Sequence, residues 1–487
     1  MGAPPKLVLA VIDGLAPAAL DRAIAEGTAP TLAELVRRGV YVDDCVAGFP
    51  SVTPVCTATI VTGAGPDQHR IPGMNWYLRS EARYVEYGSS LQATRAFGIG
   101  RSLTDTIYNL NLSHLSRQTP TIFESLDDAG VRTAGTTFLM YRGRHRHPAS
   151  GESALARLVA ATLFRHAVWG PRELFYADLF ASRETGCRSQ LGLPGARDQH
   201  AGCVATFLLE HDLFDFLLLS LPDNDTHSHE VGPSGQVDSL ALADAELQRL
   251  ADAAGGLDAF LDEHAIIVMA DHSHSPIEHR ASLRRGFGDL RVLAPNDPRP
   301  ELAHIAVCPG WRSGMVYVLD EEQRERITRR VARLAQRIPG VDLVIRRAGE
   351  EAVVWSPRGE LRFAPGTGAA DLAGRRWSFA GELAAVGARV EDGILRSEDY
   401  PDPLWRVWSA LHCENAGEVL LSAAPGYEFT DWGGVDHVGG GSHGSLHRGD
   451  SLGTLVCVGT GPQDRHERSQ WSLHDIAPLI LGHFGLA

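Results

Sequence analysis

The sequence predicts an α/β protein built on a mostly parallel central sheet flanked by helices. Three observations carry this. Short β-rich apolar runs alternate with amphipathic stretches of helical period, the pattern of strand–helix–strand units. Polar residues stand repeatedly just past the carboxyl ends of those apolar runs, where open parallel sheets bind ligands. The stretch 296–430 breaks the alternation and reads as a smaller inserted α+β unit.

In chain order, Leu7–Ile12 reads as a buried strand ending in Asp13-Gly14, and Ala29-Pro30-Thr31 opens a helix through Leu32–Arg38. Thr57–Thr62 continues as a helix or a strand-to-helix turn. Pro120–Ala129 is a helix and Arg132–Met140 a strand. Helix Gln199–Glu210 feeds the near-continuous apolar strand Phe214–Leu221. Val237–Leu261 reads as one long helix, followed by strand Ala265–Ala270 with Asp271-His272 at its end. Gly453–Val458 is a strand and Asp475–Phe484 a closing helix. Within the insert, strand Met315–Leu319, helix Glu321–Arg337, strand Val341–Arg346 and a hairpin over Ala352–Phe363 make a β-α-β-β run. Residues 1–295 and 431–487 would then form one discontinuous core and 296–430 a cap.

Length and composition narrow the classes. At roughly 150 residues per domain, 487 residues allow about three units, or one large domain with an insertion. The net charge of −15 disfavours bulk nucleic-acid binding, which needs a counterion-releasing basic face. Lys6 is the only lysine, so a cationic clamp must be arginine or metal. The seven cysteines are odd in number, scattered and without a CxxC pair, so neither a disulfide framework nor a thiolate zinc site is expected. The N-terminus runs too quickly into LVLAVIDGL for a signal peptide. No apolar run approaches the ~18 residues of a membrane span, and a soluble cytoplasmic protein is expected.

Four clusters at strand ends hold the chemistry: Asp13, Asp225 with His229, Asp271 with His272, and His443. Neutral imidazoles with carboxylates suit zinc and similar metals. Six such residues could supply two three-ligand sites, and two ions ~3.5–4 Å apart can clamp both oxygens of an in-line phosphoryl displacement. Taken singly, a DH or DxxxH pair among 21 histidines is more often a surface or capping pair.

Their order and wording are more specific. IDG, then FPSVTPVCTATIVTG, DTHSHEVGP, VMADHSHS and GGSHGS resemble the alkaline phosphatase superfamily, nearest its nucleotide pyrophosphatase/phosphodiesterase and phosphonoacetate hydrolase branch. The resemblance covers roughly residues 5–290 and 430–487. It implies an alkaline-phosphatase-like core and two divalent ions, most readily zinc. Thr53, ten residues before Gly63, matches the nucleophile. One metal site would comprise Asp13, Asp271, His272 and the Thr53 oxygen, and the other Asp225, His229 and His443. Asp223/His227 has the same spacing as Asp225/His229. The resemblance favours the second pair, because Gly232-Pro233 follows His229 at the family's distance.

Asn75 resembles the family's phosphate-contacting asparagine, at a spacing one residue longer than expected. Arg142 and Arg144, past the Arg132–Met140 strand, resemble a Lys-x-Arg phosphate clamp with arginine in place of lysine; the plainer reading is a solvated basic loop. Ser51 is a rival nucleophile. His274, His279, His437 and His447 read as neighbours of the ligands, and Trp76-Tyr77 as cleft lining or simple packing.

The implied activity is a two-metal phosphoric-ester hydrolase working through phosphothreonine, foremost a phosphodiesterase or nucleotide pyrophosphatase on a small phosphate ester. A phosphomonoesterase using the same threonine with the arginine clamp is the alternative, and a non-catalytic metal-binding scaffold is the remote one.

Overall fold

The computed structural model describes residues 4–149, 166–176, 179–187 and 193–486. Its main sheet has eight strands: β1 (Lys6–Ile12), β2 (Val40–Val46), β3 (Thr133–Thr136), β4 (Glu173–Tyr176), β5 (Phe180–Ala181), β6 (Phe216–Leu221), β7 (His264–Met269) and β8 (Leu452–Val458). They lie in the order β2-β8-β7-β1-β6-β3-β4-β5. The run β7-β1-β6-β3-β4 is parallel, whereas β8 opposes both its neighbours and β5 opposes β4. The sheet is therefore mixed, with a parallel middle. Apart from Lys6, Ser220 and His264, β1, β6 and β7 are apolar, and all but Lys6 of their residues are buried, as sheets covered by helices require.

Several elements differ from expectation for local reasons. The Val237–Leu261 helix is two helices, Gln236–Ala253 and Leu257–Glu263, parted by Gly255 and Gly256 at φ 96° and 114°. Only glycine enters that region without strain. The strand expected over Arg132–Met140 ends at Thr136, because Thr137 turns to φ 44° and the chain leaves the sheet there. Cys187 and Cys203 form a disulfide across sixteen residues, which the scattered cysteine spacing did not announce.

A second sheet of nine strands lies between Ile305 and Ala423. Its alternating side chains face two ways. Val316, Val344 and Leu421 pack with Ile327 and Val331 of the Arg324–Ala335 helix. Leu343, Ile345 and Leu420 join the apolar cluster that also holds Leu7, Leu9 and Val55. The second sheet thus shares a core with the first. A buried ion pair, Arg312 to Asp450 at 2.8 Å, links the second sheet to the residues just before β8.

Candidate active site

Three adjacent parallel strands deliver the acidic residues. β7, β1 and β6 end side by side, so Asp271-His272, Asp13 and Asp225 emerge at one edge of the sheet. Asp225 sits in the first turn of helix α2 (Asp223–Val231), and His443 follows the short strand Gly441–Ser442.

Two groups of donor atoms result. In the first, His272 Nε2 lies 3.5 Å from both Asp13 Oδ1 and Asp271 Oδ2, and 3.4 Å from Thr53 Oγ1. In the second, Asp225 Oδ1 lies 3.5 Å from His229 Nε2 and 3.5 Å from His443 Nε2. The rings of His272 and His443 stack at 3.6 Å, so the groups adjoin. Thr53 opens helix α1 (Thr53–Thr62), whose N-terminal amides favour negative charge.

The residues fit metal ions. Asp13 Oδ1, Asp271 Oδ2, His229 Nε2 and His443 Nε2 are all buried without a hydrogen-bond partner. Such atoms are costly unless a ligand satisfies them. The opposite ring nitrogens are engaged: Nδ1–H of His229 donates to Gly441 O at 2.9 Å and that of His443 to Ser51 O at 2.8 Å. A carbonyl on Nδ1 leaves Nε2 bare as a donor to metal. Burial, with the Asp271 and Asp225 carboxylates, pushes Asp13 well above the usual carboxylate range. Asp225 goes the other way: burial would raise it, but His229, His274 and His443 hold it well below. Burial brings His229 down to about 3, and burial with His272 lowers His443.

Asp223 is elsewhere. Its carboxylate accepts from the backbone N–H groups of Gly195, Arg197 and Asp198 and from Arg197 Nε. It anchors the start of a neighbouring helix while Asp225 faces the cluster. Ser51 is wholly buried, with its hydroxyl donating to Ser445 O at 2.8 Å.

Arg142 and Arg144 are not brought to the cluster. Arg142 is buried and donates to Glu124 through Nε at 3.0 Å, to Leu115 O and Ser116 O through Nη1, and to Thr119 O through Nη2. Arg144 pairs with Glu124 and Asp128. Both line a separate cavity of about 420 Å³ holding none of the candidate ligands. Their strand stops early and the turn carries them toward Glu124. Asn75 is buried at the start of a short strand, where Nδ2 donates to Val85 O at 3.0 Å. It lines a small cavity with Trp311.

His274 and His437 stand beside the ligands, as their sequence positions suggested, and Trp311 joins the site unannounced by any motif. The Trp311 ring stands 4.6 Å from His443 and 5.1 Å from His229. His437 stacks on His229 at 4.3 Å and is held by the buried Glu428. His274 meets Asp225. His279 is exposed against Tyr427, His447 packs on Tyr400, and Trp76 is buried on His114.

A mixed α/β sheet with carboxylates and imidazoles gathered at its middle strand ends offers a site for divalent metal ions. The model of the type I phosphodiesterase / nucleotide pyrophosphatase family matches residues 7–446, and the chain belongs to that family of phosphoric-ester hydrolases. Among solved structures, phosphonoacetate hydrolase from Sinorhizobium meliloti 1021 bound to phosphonoacetate superposes with a TM-score of 0.55 at 18% identity, covering 99% of this chain and 96% of that one. Murine ectonucleotide pyrophosphatase/phosphodiesterase 5 gives 0.58 at 12% identity, covering 99% and 95%. These likenesses share the fold. No curated protein sequence matches the chain.

Proposed function

We propose that the protein is a two-metal phosphodiesterase or nucleotide pyrophosphatase that acts on a small phosphate ester through a phosphothreonine at Thr53. The carrying observation is the placement of Thr53 Oγ1, 3.4 Å from His272 Nε2 and at a helix N-terminus beside both donor groups. Asp13, Asp271 and His272 would hold one divalent ion, and Asp225, His229 and His443 the other; zinc suits this donor set. Such a pair supplies positive charge to the phosphoryl oxygens and lowers the pKa of a hydroxyl beside it.

Thr53 Oγ1 would bond to phosphorus as the ester or anhydride bond to the leaving group breaks, its proton passing through solvent to the departing oxygen. Water cleaves the Thr53–phosphorus bond and restores the hydroxyl. The backbone N–H groups at the start of α1 face the charge that develops. Asn75 Nδ2 uses one of its two hydrogens on Val85 O, leaving the other for a phosphoryl oxygen. Trp311 belongs to the segment 296–430, which supports reading that segment as a cap shaping the cleft.

The monoesterase alternative leaned on Arg142 and Arg144, whose guanidiniums are engaged by Glu124 and Asp128. No helix among the described residues is long and apolar enough to cross a membrane. A cytoplasmic location is the sequence's expectation, and the Cys187–Cys203 disulfide is the observation against it, since disulfides persist in oxidising compartments. The test is the turnover of zinc-loaded protein on bis-p-nitrophenyl phosphate against p-nitrophenyl phosphate. Faster diester turnover supports the reading, and faster monoester turnover overturns it.

A further inference from the structure

His274 lies two residues past His272, and its side chain is fully buried against the second donor group. Its Nε2 stands 2.8 Å from Asp225 Oδ1, the same oxygen that faces His229 and His443. The three rings surround that oxygen: the His274 centroid is 4.8 Å from His229 and 4.9 Å from His443.

Room for this ring depends on Gly14. A Cβ built at residue 14 would fall 2.8 Å from His274 Cδ2 and Nε2, closer than side chains tolerate. The backbone there is also left-handed, at φ 70°. Gly14 further donates its N–H to Asp271 Oδ1 at 3.2 Å. The turn after β1 therefore presents Asp13, holds Asp271 and clears the space that His274 fills.

The hydrogen-bond pattern separates His274 from its neighbours. His229 and His443 spend Nδ1–H on backbone carbonyls and leave Nε2 bare. His274 is reversed: Nε2 meets the carboxylate, and Nδ1 is the buried nitrogen without a partner. Donation to that carboxylate oxygen requires the tautomer with its proton on Nε2. A nitrogen that donates a proton has no lone pair for a metal.

We infer that His274 is a positioning residue, donating Nε2–H to Asp225 and fixing the carboxylate oxygen that faces His229 and His443. This rests on the reading of Asp225, His229 and His443 as a metal site. A carboxylate oxygen has lone pairs enough to accept this bond and still face an ion. Partners of this kind orient ligands, and losing one typically costs about 10–100-fold in metal affinity.

The test is zinc affinity by chelator competition on the full-length protein, comparing wild type with His274→Gln and His274→Met. Glutamine carries an N–H donor at similar reach, whereas methionine fills similar volume without one. We expect His274→Met to weaken one of two zinc sites by about 10–100-fold, and His274→Gln to stay within a few-fold of wild type. Equal loss in both variants would overturn the inference in favour of direct ligation through the ring. Unchanged affinity in both would reduce His274 to packing. Failure of the wild type itself to bind zinc would sink the metal-site reading, a result distinct from either.

Discussion

Ser51 and His443 are joined by one hydrogen bond: the His443 Nδ1–H donates to the Ser51 carbonyl at 2.8 Å. The loop that ends in Thr53 is thereby tied to the histidine that closes the Asp225 group. The same bond presents His443 Nε2 to Asp225. Thr53 and His443 are thus registered to each other through two residues of backbone.

Because Thr53 meets the cluster only through its hydroxyl, Thr53→Ala should spare the ligands and remove the chemistry. We expect diester turnover to fall by about 10⁴-fold or more, with metal content near that of wild type by atomic absorption. Full activity would remove Thr53 from the nucleophile role.

Asp223 and Asp225 differ by two positions on one helix, yet they should fail differently. Asp225→Ala should lower metal content. Asp223→Ala should keep the metal and cost about 1–2 kcal/mol of stability, since its carboxylate caps the helix that starts at Arg197. Metal loss in the Asp223 variant instead would move the ligand pair to Asp223/His227.

Arg142 is a structural residue in this account. Removing it leaves the buried Glu124 with Arg144 as its remaining cation and strips the Leu115, Ser116 and Thr119 carbonyls of a donor, a change that costs about 1–3 kcal/mol. Arg142→Ala should lower the unfolding midpoint while leaving the ratio of monoester to diester turnover unchanged. A selective loss of monoester turnover would restore the clamp reading.

Asp450 predicts a pH dependence. Burial alone would raise its carboxyl, but Arg312, Ser275 and Ser445 outweigh burial and hold it below the ordinary value. A depressed folded pKa contributes stability that is complete above the unfolded value of about 3.9 and is lost as pH falls through the folded one. Asp450→Ala should therefore be about 3–5 kcal/mol less stable near neutrality, and the gap should narrow below about pH 4. Urea unfolding of both proteins across that range is the check, and a constant gap would contradict it.

Part of this site was legible in the sequence because of how strands end. Asp13 and Asp271 follow apolar runs closely, Asp225 lies four residues past a third, and parallel neighbours bring such ends together. The roles suggested for Thr53 and His443 came instead from resemblance, since no local pattern marks a threonine at a helix start or a histidine among glycines. Trp311 could not be read, because its contacts are set by tertiary approach; His274 was legible as a neighbour of the ligands, but the clearance at Gly14 that seats it on Asp225 was not. The expectation for Arg142 leaned on a strand that Thr137 cuts short. The Cys187–Cys203 pair is likewise a tertiary fact, invisible in spacing.

In the proposed function, two ions held by the six carboxylates and imidazoles around Thr53 make the catalyst. Metal-free protein titrated with zinc, with diester hydrolysis followed at each addition, tests it most directly. Activity should climb to a plateau at two zinc ions per chain. A plateau at one, or full activity before any zinc is added, would contradict it.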